Sequence, residues 1–255
     1  MFNLDLIKKI IQNSVKREMM FRFNIVMCFL LFFIGYSIEI LYFYSIYDKV
    51  EFINGWSQYE LFSLLGVIFV IDSLFFGLIF FNVLRIPFMV KRYELDSIIL
   101  KPVNSLFYLS TKSINLGYLL GVVPGIIIIS YSLVSLNINV SWYQLIYFFM
   151  FLINSLLILS SIFIIFISTT LYLVKVDGMI SMFWSIANFG KKPGSIYPML
   201  LKQLLLFVMP MLVVYNIPSE ILFGKFYSPL YFIFPIIIVF VANIFWNFGL
   251  KKYYA

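Results

Sequence analysis

The chain has 255 residues, of which 63% are hydrophobic and only 11% charged, with a formal net charge of +7. Soluble domains carry roughly 25% charged residues, and monomers tolerate only small exposed apolar patches, so water is excluded as the solvent for most of this surface. With no histidine and one cysteine, Cys28, a disulfide framework and Cys–His or Ser–His catalysis are excluded, and the usual Cys/His metal sites are argued against.

Residues 2–20 mix Leu4, Leu6, Ile7, Ile10, Ile11, Val15 and Met19 with Lys8, Lys9, Lys16 and Arg17. The apolar residues recur at steps of three and four, as on one face of a helix. A cleavable signal peptide would show a pure apolar stretch and a small-residue cleavage site instead. Residues 1–22 are therefore expected to be an amphipathic helix lying on the membrane surface.

Six apolar stretches follow, at 23–47, 60–84, 113–136, 143–173, 198–216 and 229–250. Each is long enough to cross ~30 Å of hydrocarbon as a helix. The fifth is expected to be interrupted at Pro210 and ended at Pro218. With the N-terminus inside, all of the 18 Lys and Arg residues except Lys49 and Lys225 fall on the inner side. That bias predicts an even number of spans with both termini in the cytoplasm. It also explains the net charge without nucleic acid, because the basic residues flank apolar runs and do not gather on a soluble domain.

The loops differ in kind. The outer loops at 48–58 and 137–141 are short. The inner loop at 85–112 is long and carries both charge signs, and a second inner loop is expected at 174–197. The segment 210–229, with Pro210, Pro218, Gly224 and Pro229, is expected to be broken helix near the outer face. Such irregular backbone at membrane depth must be buried in protein or line a wet cavity. No phosphate-binding loop is present, because Gly190-Lys191 and Gly224-Lys225 lack the preceding glycine at the required spacing.

Within the spans, Gly117, Gly121 and Gly125 stack on one helix face. That face suits either packing inside the chain or a seam with a second chain or along a pathway; Pro124 can kink the helix there. Glu39 lies about 24 Å along the first span, near its outer boundary, and Glu60 caps the outer end of the second. Asp72 lies about 18 Å deeper than Glu60, within the hydrocarbon. A carboxylate there must be paired, protonated or wet. Its role is open between a structural hydrogen bond and a pathway or gating role, and Glu39 reads chiefly as structural. The sequence names no partner for either. The stretch Asn82–Phe107 reads either as a loop hugging anionic headgroups through Arg85, Lys91 and Arg92 or as a short helix that docks on a soluble motor.

Several stretches, taken together, carry a resemblance. They are Trp56–Asp72 (GWS, then a Leu-rich run ending IDSLF), Asn82–Pro87 (NVLRIP), Tyr93–Asp96 followed by Lys101-Pro102-Val103, Gly190–Pro198 (GKKPGSIYP) and Pro210–Gly224 (PMLVVYNIPSEILFG). In order and spacing, from about residue 14 to 250, the chain resembles the bacterial ABC-2 type permeases, six-span subunits of mostly unassigned substrate. Tyr93 stands where that family has glycine, and Lys191-Lys192 where it has Arg-Tyr. The resemblance implies an all-α polytopic membrane protein: an N-terminal interfacial helix, six spans, N-in/C-in, and short re-entrant helices between spans five and six. The whole chain, 1–255, would be one transmembrane permease domain of a bacterial cytoplasmic membrane.

The partners implied are a cytosolic ABC ATPase, which would hold ATP and Mg, and a second permease, identical or homologous. Membrane lipid is implied too, and no cofactor or enzymatic activity is implied for this chain. The 85–112 loop would be the coupling element, a role carried by Arg85, Lys91, Arg92, Glu94, Asp96, Lys101 and Pro102, and Pro210, Pro218, Glu220 and Gly224 would belong to the outer re-entrant segment. The expected cargo is amphipathic (lipid, drug, peptide or glycan) and exported. Three other readings compete. A secondary transporter or channel would want intramembrane charge pairs or inverted repeats, and neither is evident in the sequence. A lipid-modifying enzyme would want clustered carboxylates or metal ligands. A membrane immunity or assembly factor is compatible with composition.

Overall fold

The computed structural model describes residues 4–100, 104–173, 176–225 and 227–254. Helix α1 runs Leu4–Met20 and breaks at Phe21 before α2, Arg22–Tyr47. A short hairpin follows, β1 (Phe52–Ile53) paired antiparallel with β2 (Trp56–Ser57). Asn54-Gly55 forms its turn, both with positive φ (46° and 84°), the conformation a two-residue hairpin demands. The hairpin is an addition to the expected all-α architecture.

Helix α3, Gln58–Lys91, starts at a capping box in which Ser57 and Glu60 bond each other's backbone N–H groups. Phe76–Phe80 inside it is a π-turn. Such a turn releases a backbone carbonyl from the regular ladder, and the Gly77 carbonyl accepts the Asn115 N–H at 2.8 Å. Helix α4 is Ser105–Thr111. Helix α5, Leu116–Ser135, and α6, Trp142–Leu173, follow. α5 is interrupted at Leu120-Gly121, one turn before Pro124, whose ring displaces the carbonyl of residue i−4.

The three glycines of α5 face other helices of the same chain. A Cβ on Gly125 would lie 2.7 Å from Val70 and 3.0 Å from the Gly66 carbonyl; on Gly121, 2.5 Å from Ser73 Oγ; on Gly117, 2.7 Å from Cys28. α5 therefore packs on α3, and through Gly117 on α2, at backbone contact distance.

The expected inner loop at 174–197 is corrected. Val176–Gly190 is a helix, α7, about 22 Å long at 1.5 Å per residue. Its face Val176, Phe183, Ala187 and Gly190 is buried. The expected interruption of the fifth stretch at Pro210 is a sharp bend, and its second arm runs past 216 to Leu222. Met199–Val208 (α8) and Met211–Leu222 (α9) meet at 96° across Met209-Pro210, because proline cannot continue the helix it follows.

Pro218 does not end α9 but lies inside it. The carbonyl its missing N–H leaves free belongs to Val214, and Ser155 Oγ of α6 donates to it at 2.7 Å. A neighbouring helix thus supplies the bond the proline removes. α9 ends instead at Gly224, whose φ of 84° forms the left-handed cap. Gly224 N–H bonds the Ile221 carbonyl and Lys225 N–H the Glu220 carbonyl, the paired closure of a glycine-capped helix. Pro229–Tyr253 is α10.

Among the described residues, five helices are long and apolar enough to cross a membrane, or six if the bent pair counts as one span. Along α6, Phe163 packs on Phe183 of α7, Ser155 bonds Val214 of α9, and Tyr147 donates to the Tyr227 carbonyl just beyond α9. α7 and α9 thus cover successive lengths of one long helix. Between α6 and α10 the chain consists of α7, the arm α8 and α9.

Candidate functional site

Asp72, about 21 Å along α3 from Gln58, is fully buried. Its partners come from three other segments. Tyr36 of α2 and Lys191, just past α7, donate to Oδ2, Lys191 at 2.6 Å. Tyr215 of α9 donates to Oδ1 at 2.8 Å. The Lys191 ammonium also sits 5.6 Å from the Trp184 ring and 5.8 Å from the Tyr215 ring, where ring quadrupoles attract a cation. This answers the demand that a carboxylate at such depth be paired and hydrogen-bonded. Glu39, one turn beyond Tyr36 on α2, is half-buried within electrostatic reach of both Lys191 and Asp72. The sequence reading left Asp72 without a partner and saw no intramembrane charge pair; the structure supplies one.

The loop that delivers Lys191 is clamped by its backbone. Asn216 of α9 donates to the Gly190 and Lys192 carbonyls and accepts from the Gly194 N–H. A Cβ on Gly190 would lie 2.5 Å from the Met211 carbonyl oxygen. The stretches GKKPG and PMLVVYN are thus two faces of one contact.

Beyond this node the bent pair borders a cavity of about 280 Å³ lined by Trp56, Lys202, Asn216, Glu220, Lys225 and Tyr227, among others. Glu220 accepts from Tyr227 and from Lys225 at 3.2 Å. Burial, and then the Glu220 carboxylate, push the Tyr227 hydroxyl far above the ordinary tyrosine range, so it stays protonated as the donor. Lys202 shares this cavity with Trp56 and Lys225, and Lys191 sits at the depth of Asp72. Both therefore leave the basic inner end to which the charge count assigned them.

At the opposite end of α3, Asn82 fixes the start of the third span. It donates to the Leu78, Ser110 and Ser113 carbonyls and accepts from Ser113. Beyond it come Arg85 and Lys91, then a turn at Tyr93, and Asp96 opens a short helical turn, Asp96–Ile99. Tyr93 has φ 57° and is 79% exposed, which gives a physical reason for the glycine expected at that position. Arg92 and Glu94 pair loosely at 4.0 Å with exposed side chains. Lys101 and Pro102 lie outside the described residues.

Apolar helices of membrane-spanning length, a broken helix pair and a buried charge pair mark a multi-pass membrane protein. The chain belongs to the ABC-2 family: the model for ABC-2 family transporter proteins matches residues 33–255. It is thus a membrane permease of the ABC transporter type. Comparisons with curated proteins and with solved structures give no match.

Proposed function

We propose that this chain is the membrane half of an ATP-driven exporter of amphipathic cargo. A separate cytosolic ATPase holds ATP and Mg, and a second permease chain, identical or homologous, completes the pathway. The observation that carries this reading is the family match over 33–255 in a sequence without a phosphate-binding loop. α3 is one helix from Gln58 to Lys91, about 50 Å long. Its end carries Arg85 and Lys91, where the sequence reading expected loop, and it joins these and the turn of Arg92, Glu94 and Asp96 to Asp72. Closure of the ATPase dimer would push on that turn, and the rigid helix would carry the displacement to the node where α2, α3, α7 and α9 meet. Packed interfaces of this kind switch between discrete arrangements.

The test is to co-express the chain with an ABC ATPase encoded beside it, purify the pair in mild detergent, and measure hydrolysis. Co-purification with raised ATPase activity is expected. Charge reversal of Glu94 and Asp96 should lower that stimulation by about tenfold, with the permease still folded. Stimulation unchanged by the reversal would remove the loop from the coupling role.

One observation favours a second reading. The Asp72–Lys191 pair is the intramembrane charge pair a secondary transporter would need. Ion- or proton-driven transport by the chain alone in proteoliposomes would establish that reading instead.

A further inference from the structure

The cavity beside the bent pair holds donors that the protein does not use. Glu220 is the carboxylate that lines it, and both Lys225 and Tyr227 already bond to it. Lys202 lines the same cavity and, among the described residues, has no carboxylate partner. Trp56 is 93% buried (7% exposed), its ring stacked edge-on to Phe223, and its indole N–H bonds no acceptor among the described residues. The Ser195 hydroxyl lining the cavity likewise has none. A buried indole N–H and two exposed donors, the Ser195 hydroxyl and the cationic Lys202, around about 280 Å³ make a site complementary to an anion.

The flank of the cavity says what the anion is attached to. Lys202 and Leu206, one turn apart on α8, both line the cavity. Four other residues of that arm are exposed and apolar: Met199 at 76%, Leu200 at 78%, Phe207 at 59% and Val208 at 72%. A charged pocket with an apolar ramp beside it suits a molecule with an anionic head and a hydrocarbon tail.

We infer that this cavity binds the phosphate or carboxylate head of an anionic amphiphile, with Lys202 as the charge partner, the Trp56 N–H and Ser195 hydroxyl as neutral donors, and the tail lying along α8. It rests on the permease reading only where that amphiphile is called cargo; binding needs neither ATP nor an ATPase.

Binding is measured on the full chain, purified in a neutral detergent, by isothermal titration calorimetry with dihexanoyl phosphatidic acid, dihexanoyl phosphatidylcholine and inorganic phosphate as probes. The phosphatidic acid should bind about tenfold or more tightly than the phosphatidylcholine. Lys202→Gln, on an exposed side chain, should abolish that preference, and Trp56→Phe, which keeps an aromatic side chain but removes the N–H, should reduce it several-fold. Lys49→Gln, an exposed lysine in the outer loop, should leave it intact. Equal affinity for the two lipids, or a preference that survives both Lys202→Gln and Trp56→Phe, would overturn the inference. Inorganic phosphate binding as tightly as the lipid would overturn it too, in favour of a soluble-anion site. Because no ATPase is present, failure here is distinct from failure of the coupling test.

Discussion

The two ends of α3 are built on opposite rules. Around Asp72 the carboxylate is fully answered: three donors reach it, and one ammonium sits against two aromatic rings. Around Arg92 and Glu94 the charges are exposed and paired only at 4.0 Å. In a low-dielectric interior an unpaired charge costs several kcal/mol, whereas an exposed pair contributes about 0–1 kcal/mol. The buried node is therefore intolerant of losing one partner, and the exposed end has its charges accessible to another molecule. Substitutions should separate these roles.

The largest effect belongs to the node. Asp72→Ala leaves Lys191 without its carboxylate and should destabilise the protein by about 3–5 kcal/mol, read as a lowered unfolding temperature in detergent. Asp72→Asn combined with Lys191→Met removes both charges and should recover much of that loss; a double variant as unstable as Asp72→Ala would break the comparison. Next in size, Gly190→Ala drives a methyl into the Met211 backbone and should cost about 1–3 kcal/mol by the same readout.

Ser155→Ala should cost about 1–2 kcal/mol by leaving the Val214 carbonyl unanswered. Its effect should shrink in a Pro218→Ala background, where residue 218 regains the N–H that bonds that carbonyl. At the exposed end, Tyr93→Gly relieves the left-handed backbone and should stabilise the protein by about 0.5–1 kcal/mol. A destabilised Tyr93→Gly protein would show that the side chain, not the backbone, governs that turn.

The long apolar stretches made five helices legible, because hydrocarbon thickness sets their length; α3 alone overran its expected end at 84 by seven residues, to Lys91. The broken segment between α6 and α10 was not legible in the same way. α7 is shorter than a full span and contains Asp177 and Gly178, so its apolar content falls below what length-based reading detects. Its buried face at 176, 183, 187 and 190 kept a helical spacing that periodicity can find. Asn54-Gly55 signalled the hairpin turn through its residue types. Asp72 announced that it needed a partner. That the partner is Lys191, 119 residues away, follows from how α7 folds back along α6 and from no local pattern. The same holds for Ser155 and Pro218: proline removes a donor by rule, but which neighbour replaces it is a matter of packing. The resemblance named the stretches 190–198 and 210–224, and the structure explains them together, as a glycine and an asparagine that lock one loop against one helix.

The account as a whole requires that the loop carrying Glu94 and the cavity carrying Lys202 and Lys225 open on opposite faces of the membrane. Single cysteines at 94, 202 and 225 in a Cys28→Ser background, probed in intact cells with a membrane-impermeant maleimide, test this directly. Cysteines at 202 and 225 should label from outside, and the cysteine at 94 only after the membrane is permeabilised. Labelling of positions 94 and 225 from the same side would contradict the account.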